Sequence, residues 1–275
     1  MTQVWKSRQE ITSPSKKRAV VMTMGALHAG HASLMAAARE RVGLEGEVVV
    51  TIFVNPTQFG ANEDFDKYPR TLASDLEVCE AQGVDYVFTP SVEDVYGSES
   101  RTSAAITVDP GPLGSELEGA ARPDHFRGVL TVVAKLMHMT RPEVALFGEK
   151  DYQQLTLIRA MVSALDFPGE VVGVPTAREP DGLAMSSRNR FLTAAEREAA
   201  ASIPLALSAA AATGSAAKAL EVIPTLLDPL VVCDYAVIRG VDLGEPPNSG
   251  EARLLFAGTV GSTRLLDNVR MDLGA

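Results

Sequence analysis

The chain has little of several features that mark particular classes of protein. Its two cysteines, Cys79 and Cys233, lie far apart and have no histidines at ligand spacing, so neither a disulfide framework nor a zinc site is expected. Both cysteines are predicted to be buried free thiols. Lys and Arg number 25 against 35 Asp and Glu, a net charge of -10, which argues against a general nucleic-acid or membrane-surface binder. The longest apolar run, Val48 to Val54, is far shorter than a bilayer span, and the amino terminus lacks the apolar core of a signal peptide. We therefore expect a cytoplasmic protein without a nucleic-acid or membrane partner.

What is present is typical of a compact folded chain. The 275 residues, 46% hydrophobic and 22% charged, suit one large domain or two modest ones. Short apolar runs alternate with segments of helical periodicity, which predicts a Rossmann-like, doubly wound parallel sheet over residues 1–176. The predicted strands are Ala19–Thr23, Glu47–Phe53, Tyr86–Thr89, Val144–Phe147 and Glu170–Val174. The predicted helices are His31–Arg41, Leu72–Gln82, Phe126–Thr140 and Tyr152–Leu165.

The composition and the pattern of predicted elements change toward the carboxyl terminus. A strand-like piece at Ala104–Val108 leads into a Pro- and Gly-rich stretch, residues 109–126, that is typical of a long functional loop. Further on, Thr193 and Glu196 form a capping-box pattern before an Ala-rich helix. A second helix and three strand-like runs follow. We predict a small α+β domain with antiparallel pairing over residues 177–275.

The first chemical signal is MTMGALHAGH, residues 22–31, where a strand ends and a helix begins. Ligands bind at such points in a doubly wound sheet. His28 and His31 stand three positions apart and share one face of the first helical turn, so both imidazoles can point at one phosphate. A lone histidine is more often a packing residue, but a pair at a Gly-rich turn favours a phosphate site.

Two further signals follow the same logic. In FGEKDYQQ, residues 147–154, Lys150 supplies a point charge for phosphate, Asp151 can cap the helix and Gln154 lies one turn inside. In LAMSSRNR, residues 183–190, hydroxyls and a guanidinium combine in a set that matches polyphosphate, namely Ser186, Ser187 and Arg188. Taken alone, Lys150 is more readily a solvated surface lysine, and the second segment is as readily a polar interdomain linker.

Together these segments resemble the nucleotidyltransferase superfamily that carries a His-x-Gly-His signature and a mobile Lys/Ser-rich loop. The stretches TMGALHAGH, IFVNPTQFG, HFRGVLTVVAKL, FGEKDYQQ and DGLAMSSRNR, in this order, are similar to the pantoate–beta-alanine ligase family. The resemblance is strong from Ala19 to Leu192 and weak elsewhere. It departs at Met22, where the family usually has Pro, and at Ala29, where an acidic residue is common.

The resemblance implies an ATP-dependent ligase of coenzyme A precursor biosynthesis. Pantoate and ATP give pantoyl adenylate and pyrophosphate, and beta-alanine then attacks the adenylate to give pantothenate and AMP. A carboxylate is ionised at neutral pH, so the first step requires charge neutralisation and in-line positioning rather than a general base. The implied partners are the small-molecule substrates and a second copy of the chain in a homodimer, with the carboxyl-terminal domain acting as a lid.

The resemblance also assigns residues to roles. The catalytic set it implies is His28, His31, Lys150, Ser186, Ser187 and Arg188. The implied ATP-binding residues are Met24, Gly25, Ala26, Leu27, His28, Ala29, Gly30, His31, Gly148, Glu149, Lys150, Asp151, Ala177, Met185, Ser186, Ser187 and Arg188. Pantoate is expected at Gln58 and Gln154, with Asn55 shaping the pocket and Arg122 holding an anionic part of the substrate. Mg²⁺ is expected with ATP, and its protein ligands stay unassigned, although Asp75 is an outer-shell candidate.

Two other functions fit the same signals. One is a related nucleotidyltransferase that transfers AMP to a phosphate acceptor and stops there. Neutral amides at Gln58 and Gln154 favour a small hydroxy acid instead, because a phosphate acceptor would call for extra Arg or Lys. The other is a nucleotide-binding protein without turnover, and the presence of both histidines and Lys150 argues against it.

Overall fold

The computed structural model describes residues 2–60, 65, 66, 68–97 and 106–274. The chain divides into two compact units. The first comprises Met1–Glu149 and Gln153–Val174, and the second comprises Lys150–Tyr152 and Pro175–Ala275. None of the helices formed by the described residues has both the length and the apolar composition of a membrane span.

The first unit contains a six-stranded sheet and its helices. Its strands are β1 Gln3–Trp5, β2 Arg18–Thr23, β3 Glu47–Ile52, β4 Tyr86–Phe88, β5 Val144–Gly148 and β6 Glu170–Val174. Its helices are α1 Ala29–Val42, α2 Leu72–Ala81, α3 Val92–Tyr96, α4 Glu118–Ala121, α5 His125–Thr140 and α6 Tyr152–Ala164, although Tyr152 itself belongs to the second unit. The spatial strand order is β1-β4-β3-β2-β5-β6, and every pairing is parallel.

The direction in which the chain adds strands reverses at β2. From β2 the chain proceeds outward through β3 and β4 on one side, and β5 and β6 lie on the other. This reversal is the topological switch point at which doubly wound sheets bind ligands. The predicted Rossmann-like sheet is therefore confirmed.

Both faces of the sheet are buried, because neighbouring residues of a strand point to opposite sides. Val20 packs on one face, in a core with residues of α5 and α6. Val21 packs on the other face, in a core that includes Met35 of α1 and Cys79 of α2. Apolar side chains on both faces account for the nearly continuous hydrophobic runs of β2 and β3.

The second unit is a small α+β arrangement, as predicted. Its elements are helices α7 Ala194–Ala200, α8 Ser202–Ala211 and α9 Ala216–Leu226, with strands β7 Val231–Gly240, β8 Gly250–Val260 and β9 Thr263–Leu273. The strands form an antiparallel sheet in the order β7-β8-β9. The Thr193 and Glu196 side chains form the predicted capping box at the start of α7. The roles predicted for domains 1–176 and 177–275 stay predictions.

Several sequence predictions differ from the structure. The stretch predicted as a loop, residues 109–126, contains a 3₁₀ turn at Pro112–Ser115, the short helix α4 and the first two residues of α5. The predicted strand Ala104–Val108 lies partly outside the described residues, and residues 106–108 are irregular. Cys233 is exposed rather than buried. Cys79 is buried, and this burial, with the nearby Asp75 carboxylate, raises the pKa of its thiol to about 12.

Helix α5 approaches the segment after β3 so closely that only glycine fits between them. A Cβ on Gly128 would lie 2.3 Å from the carbonyl oxygen of Thr57 and 2.7 Å from the Cα of Gln58. Both of these atoms belong to the backbone, which cannot move aside as the end of a side chain can. Gly128 thus sets the distance between α5 and Gln58.

We predict that Gly128→Ala lowers the free energy of unfolding by about 3 kcal/mol, the scale of overpacking against atoms that cannot yield. Gly148→Ala is the matched control, because a Cβ there meets no atom within 4 Å. Urea unfolding of both variants checks the prediction. Equal stability of the two variants would contradict the close approach.

Candidate active site

Three neighbouring strands of the sheet end at the same edge, and each leads into a segment with predicted site residues. β2 ends at Thr23, before His28 and His31. β3 ends at Ile52, before Asn55 and Gln58. β5 ends at Gly148, before the helix that carries Gln154. Because β3, β2 and β5 are adjacent and parallel, these segments converge at the switch point.

Both histidines cap the first turn of α1. Nδ1 of His28 accepts a hydrogen bond from the backbone N–H of Gly30 at 3.1 Å, and Nδ1 of His31 accepts one from the backbone N–H of His28 at 3.2 Å. The two rings lie with their centroids 4.1 Å apart. A backbone N–H can only donate, so each Nδ1 is unprotonated and each neutral ring carries its proton on Nε2. Nε2 is therefore the nitrogen of each ring that can donate to a ligand.

The loop between β2 and α1 is held by a buried carboxylate. Asp75, on α2, is 2% exposed. It accepts hydrogen bonds from the backbone N–H groups of Ala26 at 3.2 Å and Leu27 at 2.8 Å, and from the hydroxyl of Thr71. Gly25 has a φ of +84°, and a Cβ there would lie 3.0 Å from Asp75 Oδ2. The carboxylate of Asp75 therefore holds the backbone of this loop against α2.

The amide of Asn55 has one orientation, because backbone groups contact both of its ends. Its Oδ1 accepts from the backbone N–H of Thr57 at 3.3 Å, and its Nδ2 donates to the carbonyl of Gly128 at 3.2 Å. The second Nδ2 hydrogen goes to Oε1 of Gln58 at 3.1 Å. Oε1 of Gln58 therefore faces Asn55, and the amide nitrogen of Gln58 faces the other way.

The donor end of Gln58 points toward the loop after β2. Its Nε2 lies 3.1 Å from the sulfur of Met24, one of the residues predicted to line ATP. Gln58 is 9% exposed, so water has little access to its carboxamide. Toward any ligand in this region, Gln58 presents N–H groups and not its oxygen.

Arg122 is linked to Gln58 through His125. Nη1 of Arg122 lies 3.0 Å from Nε2 of His125, and Nδ1 of His125 lies 2.9 Å from the carbonyl oxygen of Gln58. Guanidinium nitrogens only donate and carbonyl oxygens only accept, so the ring accepts at Nε2 and donates from Nδ1. The structure thus brings together Gln58, Asn55 and Arg122 around a histidine that the sequence did not single out.

The two adjacent glutamines of α6 have different surroundings. Gln153 is buried, donates to the carbonyls of Leu113 and Glu116, and accepts from the backbone N–H of Glu118. The side chain of Gln154 is half-buried and makes no hydrogen bond to another described residue. Gln153 therefore holds the segment before α4, whereas the carboxamide of Gln154 is available to a ligand. The choice of Gln154 over Gln153 for pantoate stays a prediction.

In the second unit, the predicted polyphosphate residues lie on an anchored turn. Met185 donates from its backbone N–H to the carbonyl of Ala177, and Ser186 Oγ accepts from the backbone N–H of Arg188. Arg188 is exposed and Ser187 is half-buried. Asn189 joins the turn to Glu179, and this hydrogen bond is the main reason why the pKa of Glu179 lies below its ordinary value. The turn presents its hydroxyls and guanidinium from a fixed backbone.

Lys150 and Asp151 also belong to the second unit. Lys150 Nζ lies 3.9 Å from Asp151 Oδ1, and its backbone carbonyl accepts from Nδ2 of Asn268 at 2.9 Å. Asn268 follows Asp267 in β9. The carboxylate of Asp267 accepts hydrogen bonds from Nη1 and Nη2 of Arg178, at 2.7 and 2.9 Å. Lys150 is thereby tied to the antiparallel sheet through its backbone.

Comparison with known proteins identifies the family. The family model described as pantoate-beta-alanine ligase matches residues 1–270. The chain therefore belongs to the pantoate–beta-alanine ligase family. It is similar to a pantothenate synthetase of Mycobacterium sp. strain KMS, at 53% identity over 96% of this chain and 84% of the relative. It is also similar to one of Nocardia farcinica, at 54% identity over 94% and 80% of the two chains.

Solved structures of the family have the same fold. A pantothenate synthetase of Thermus thermophilus superposes with a TM-score of 0.90 at 41% identity, over 98% of this chain and 99% of that one. The ligase of Francisella tularensis, complexed with Beta-gamma ATP and beta-alanine, superposes with a TM-score of 0.80 at 32% identity, over 98% and 97% of the chains. The family predicted from the motifs is thus confirmed.

Sequence reasoning did not find some members of the site. His125 lies in the HFRGV segment, one of those that resemble the family, and it is the first residue of α5. Asp75, the outer-shell candidate for Mg²⁺, accepts with both oxygens from the loop backbone and Thr71, and its relation to Mg²⁺ stays a prediction. Because Asp75 is far from Ala26 and Leu27 along the chain, the sequence did not indicate that its carboxylate binds their backbone N–H groups.

We predict that Asp75→Asn lowers the free energy of unfolding by about 2 kcal/mol, because an amide cannot accept all the bonds that the buried carboxylate accepts. Hydrogen exchange at the Ala26 and Leu27 amides should accelerate. Glu77→Gln, on an exposed position of the same helix, is the control and should leave both quantities unchanged. Unaltered exchange at Ala26 and Leu27 in Asp75→Asn would contradict this role.

Proposed function

We propose that this chain joins pantoate to beta-alanine in two steps through a pantoyl adenylate. In the first step, a pantoate carboxylate oxygen attacks the α-phosphorus of ATP and pyrophosphate leaves. In the second, the neutral amine of beta-alanine attacks the acyl carbon, AMP leaves, and the amine loses a proton to give pantothenate. Family membership supports the overall ligation, and the complex of the Francisella relative with Beta-gamma ATP and beta-alanine supports the identity of these two substrates.

The observation that carries the proposal is the double cap of α1. Because both Nδ1 atoms accept from backbone N–H groups, both imidazoles are oriented before any ligand binds, with Nε2–H as the donor. The amino end of α1 adds the positive end of a helix dipole. Oriented donors and a positive field favour the charge that develops on the phosphates as the carboxylate attacks. A site of this kind needs no general base in the first step.

The pantoate pocket in this proposal is built around Gln58. Its Oε1 accepts from Asn55, so its N–H groups would donate to the oxygens of the acid. Gln154 would contribute a second carboxamide. Arg122, linked to the backbone of Gln58 by His125, would hold an anionic part of the substrate. Asn55 would orient Gln58, since its own amide is hydrogen-bonded within the protein.

For the second unit we propose the remaining roles. Lys150 would neutralise charge as pyrophosphate leaves, and the turn with Ser186, Ser187 and Arg188 would cover the triphosphate as a lid. The other residues in the proposed ATP set contribute chiefly backbone: Met24, Gly25, Ala26, Leu27, Ala29, Gly30, Gly148, Glu149, Asp151, Ala177 and Met185. A homodimer and a cytoplasmic location are also proposed, on the resemblance and the sequence alone.

Mg²⁺ is proposed to enter with ATP. Among the described residues, no group of three or more His, Cys, Asp or Glu side chains could hold a metal ion, and Asp75 is occupied by the loop backbone. An ion held mainly by phosphate oxygens and water needs no such group. When bound, it would neutralise phosphate charge.

The two-step mechanism predicts that labelled pyrophosphate exchanges into ATP with pantoate alone, because the first half-reaction is complete before the amine is used. Exchange is measured with pantoate alone, beta-alanine alone and both. Absence of exchange with pantoate alone, in enzyme shown to bind ATP, would exclude the proposed function. Exchange only with a phosphorylated acceptor would favour the related nucleotidyltransferase, and ATP binding with neither exchange nor turnover would favour a nucleotide-binding protein without turnover.

We expect His31→Ala to slow adenylate formation about 100- to 1000-fold, the range for removing one preorganised donor aimed at developing charge. Single-turnover formation of the adenylate is the measurement. His138→Ala, on an exposed position of α5, is the matched control and should keep the wild-type rate. A rate within about threefold of wild type in His31→Ala would remove His31 from the proposed mechanism.

A further inference from the structure

Tyr96 makes the shortest hydrogen bond to the amide that orients Gln58. Its hydroxyl donates to Oδ1 of Asn55 at 2.7 Å, whereas the backbone N–H of Thr57 reaches the same oxygen at 3.3 Å and the Thr57 hydroxyl at 3.0 Å. Tyr96 is the last residue of α3. Asn55 is 1% exposed, so water has little access to its amide. The phenol is therefore the principal side-chain donor to this oxygen.

The surroundings of Tyr96 keep the phenol in place and protonated. Its ring lies 6.4 Å from that of Phe53, and the Thr57 hydroxyl lies 3.1 Å from its oxygen. Lys135 Nζ lies 5.7 Å from the ring centroid. Burial raises the pKa of Tyr96 above its ordinary value, so the hydroxyl carries its proton at neutral pH. Because the amide oxygen of Asn55 can only accept, the phenol is the donor in this hydrogen bond.

A chain of hydrogen bonds then runs from Tyr96 to the donor end of Gln58. With Oδ1 of Asn55 held by the phenol, its Nδ2 is directed at Oε1 of Gln58. If the carboxamide of Gln58 were rotated so that Oε1 and Nε2 exchanged places, Nε2 of Gln58 would face Nδ2 of Asn55. Both groups are donors, so this orientation is unfavourable. A loosened Asn55 would lower the cost of that reversal, and a reversed Gln58 would turn its oxygen toward an anionic ligand.

We propose that Tyr96 is a positioning residue for the acid substrate, which through Asn55 keeps the N–H groups of Gln58 toward the carboxylate or hydroxyl oxygens of pantoate. This inference rests on the proposed function, because it takes pantoate as the ligand of Gln58. Tyr96 itself touches neither substrate nor reacting atoms in this scheme. Its effect is on the binding of one substrate, not on the chemical step.

The test is the KM for pantoate in the pyrophosphate exchange reaction. Tyr96→Phe should raise this KM roughly 3- to 10-fold, the factor expected for one neutral hydrogen bond, while the KM for ATP stays within about twofold. Tyr86→Phe is the matched control. The Tyr86 ring stacks on Trp5 and its hydroxyl makes no hydrogen bond to another described residue, so this variant should resemble wild type.

A double-mutant cycle shows whether Tyr96 acts through Gln58. In a Gln58→Ala background, which should itself raise the KM for pantoate, adding Tyr96→Phe should change that KM less than about 1.5-fold, because the group that Tyr96 orients is gone. An equal rise in both backgrounds, an equal rise of the KM values for pantoate and ATP, or no rise at all would overturn the inference. Wild-type enzyme without pantoate-dependent exchange would instead refute the proposed function.

Discussion

The capping of α1 by His28 and His31 is the interaction on which the rest of the candidate site depends. The first turn of a helix leaves backbone N–H groups without partners, and a side-chain acceptor there contributes about 1 kcal/mol. Serine or threonine with glutamate would perform this task as well. The use of two imidazoles gives each ring a fixed tautomer in addition, because the nitrogen that accepts from the backbone cannot carry the proton. The same two hydrogen bonds therefore cap α1 and set the orientation of the Nε2–H donors.

The remaining polar groups follow a similar rule, in which buried side chains bind backbone and so hold the groups nearer the switch point. Asp75 receives the N–H groups of the loop before α1. Asn55 joins the segment after β3 to α5 through the carbonyl of Gly128. Each of these contacts satisfies a group that would otherwise be buried without a partner, which would cost about 1–3 kcal/mol. The same contacts that stabilise the sheet edge therefore also orient the candidate ligand-binding groups.

The absence of side chains at two glycines is as important as these contacts. Gly25 adopts a positive φ beside Asp75, and Gly128 lies against the backbone of Thr57 and Gln58. A larger residue at Gly128 would push Gln58 away from α5 and break the geometry that Asn55 imposes. Close backbone approach is therefore a condition for the conformation of both the loop after β2 and the segment after β3.

The sequence by itself determined the parallel sheet, the antiparallel second unit and the family, because these depend on local periodicity, capping patterns and motif order along the chain. It placed His28 and His31 after a strand, at the edge where doubly wound sheets bind ligands, and it indicated Gln58 through the resemblance. It missed the short strand β1 and helix α3, since three and five residues carry too little periodic signal. Only the tertiary structure decided that Asp75 binds the loop of Ala26, that His125 joins Arg122 to Gln58, and that Gln153 is buried beside an available Gln154. These depend on hydrogen bonds between residues far apart in the chain, and such pairings are set by how the elements pack, which local sequence does not specify.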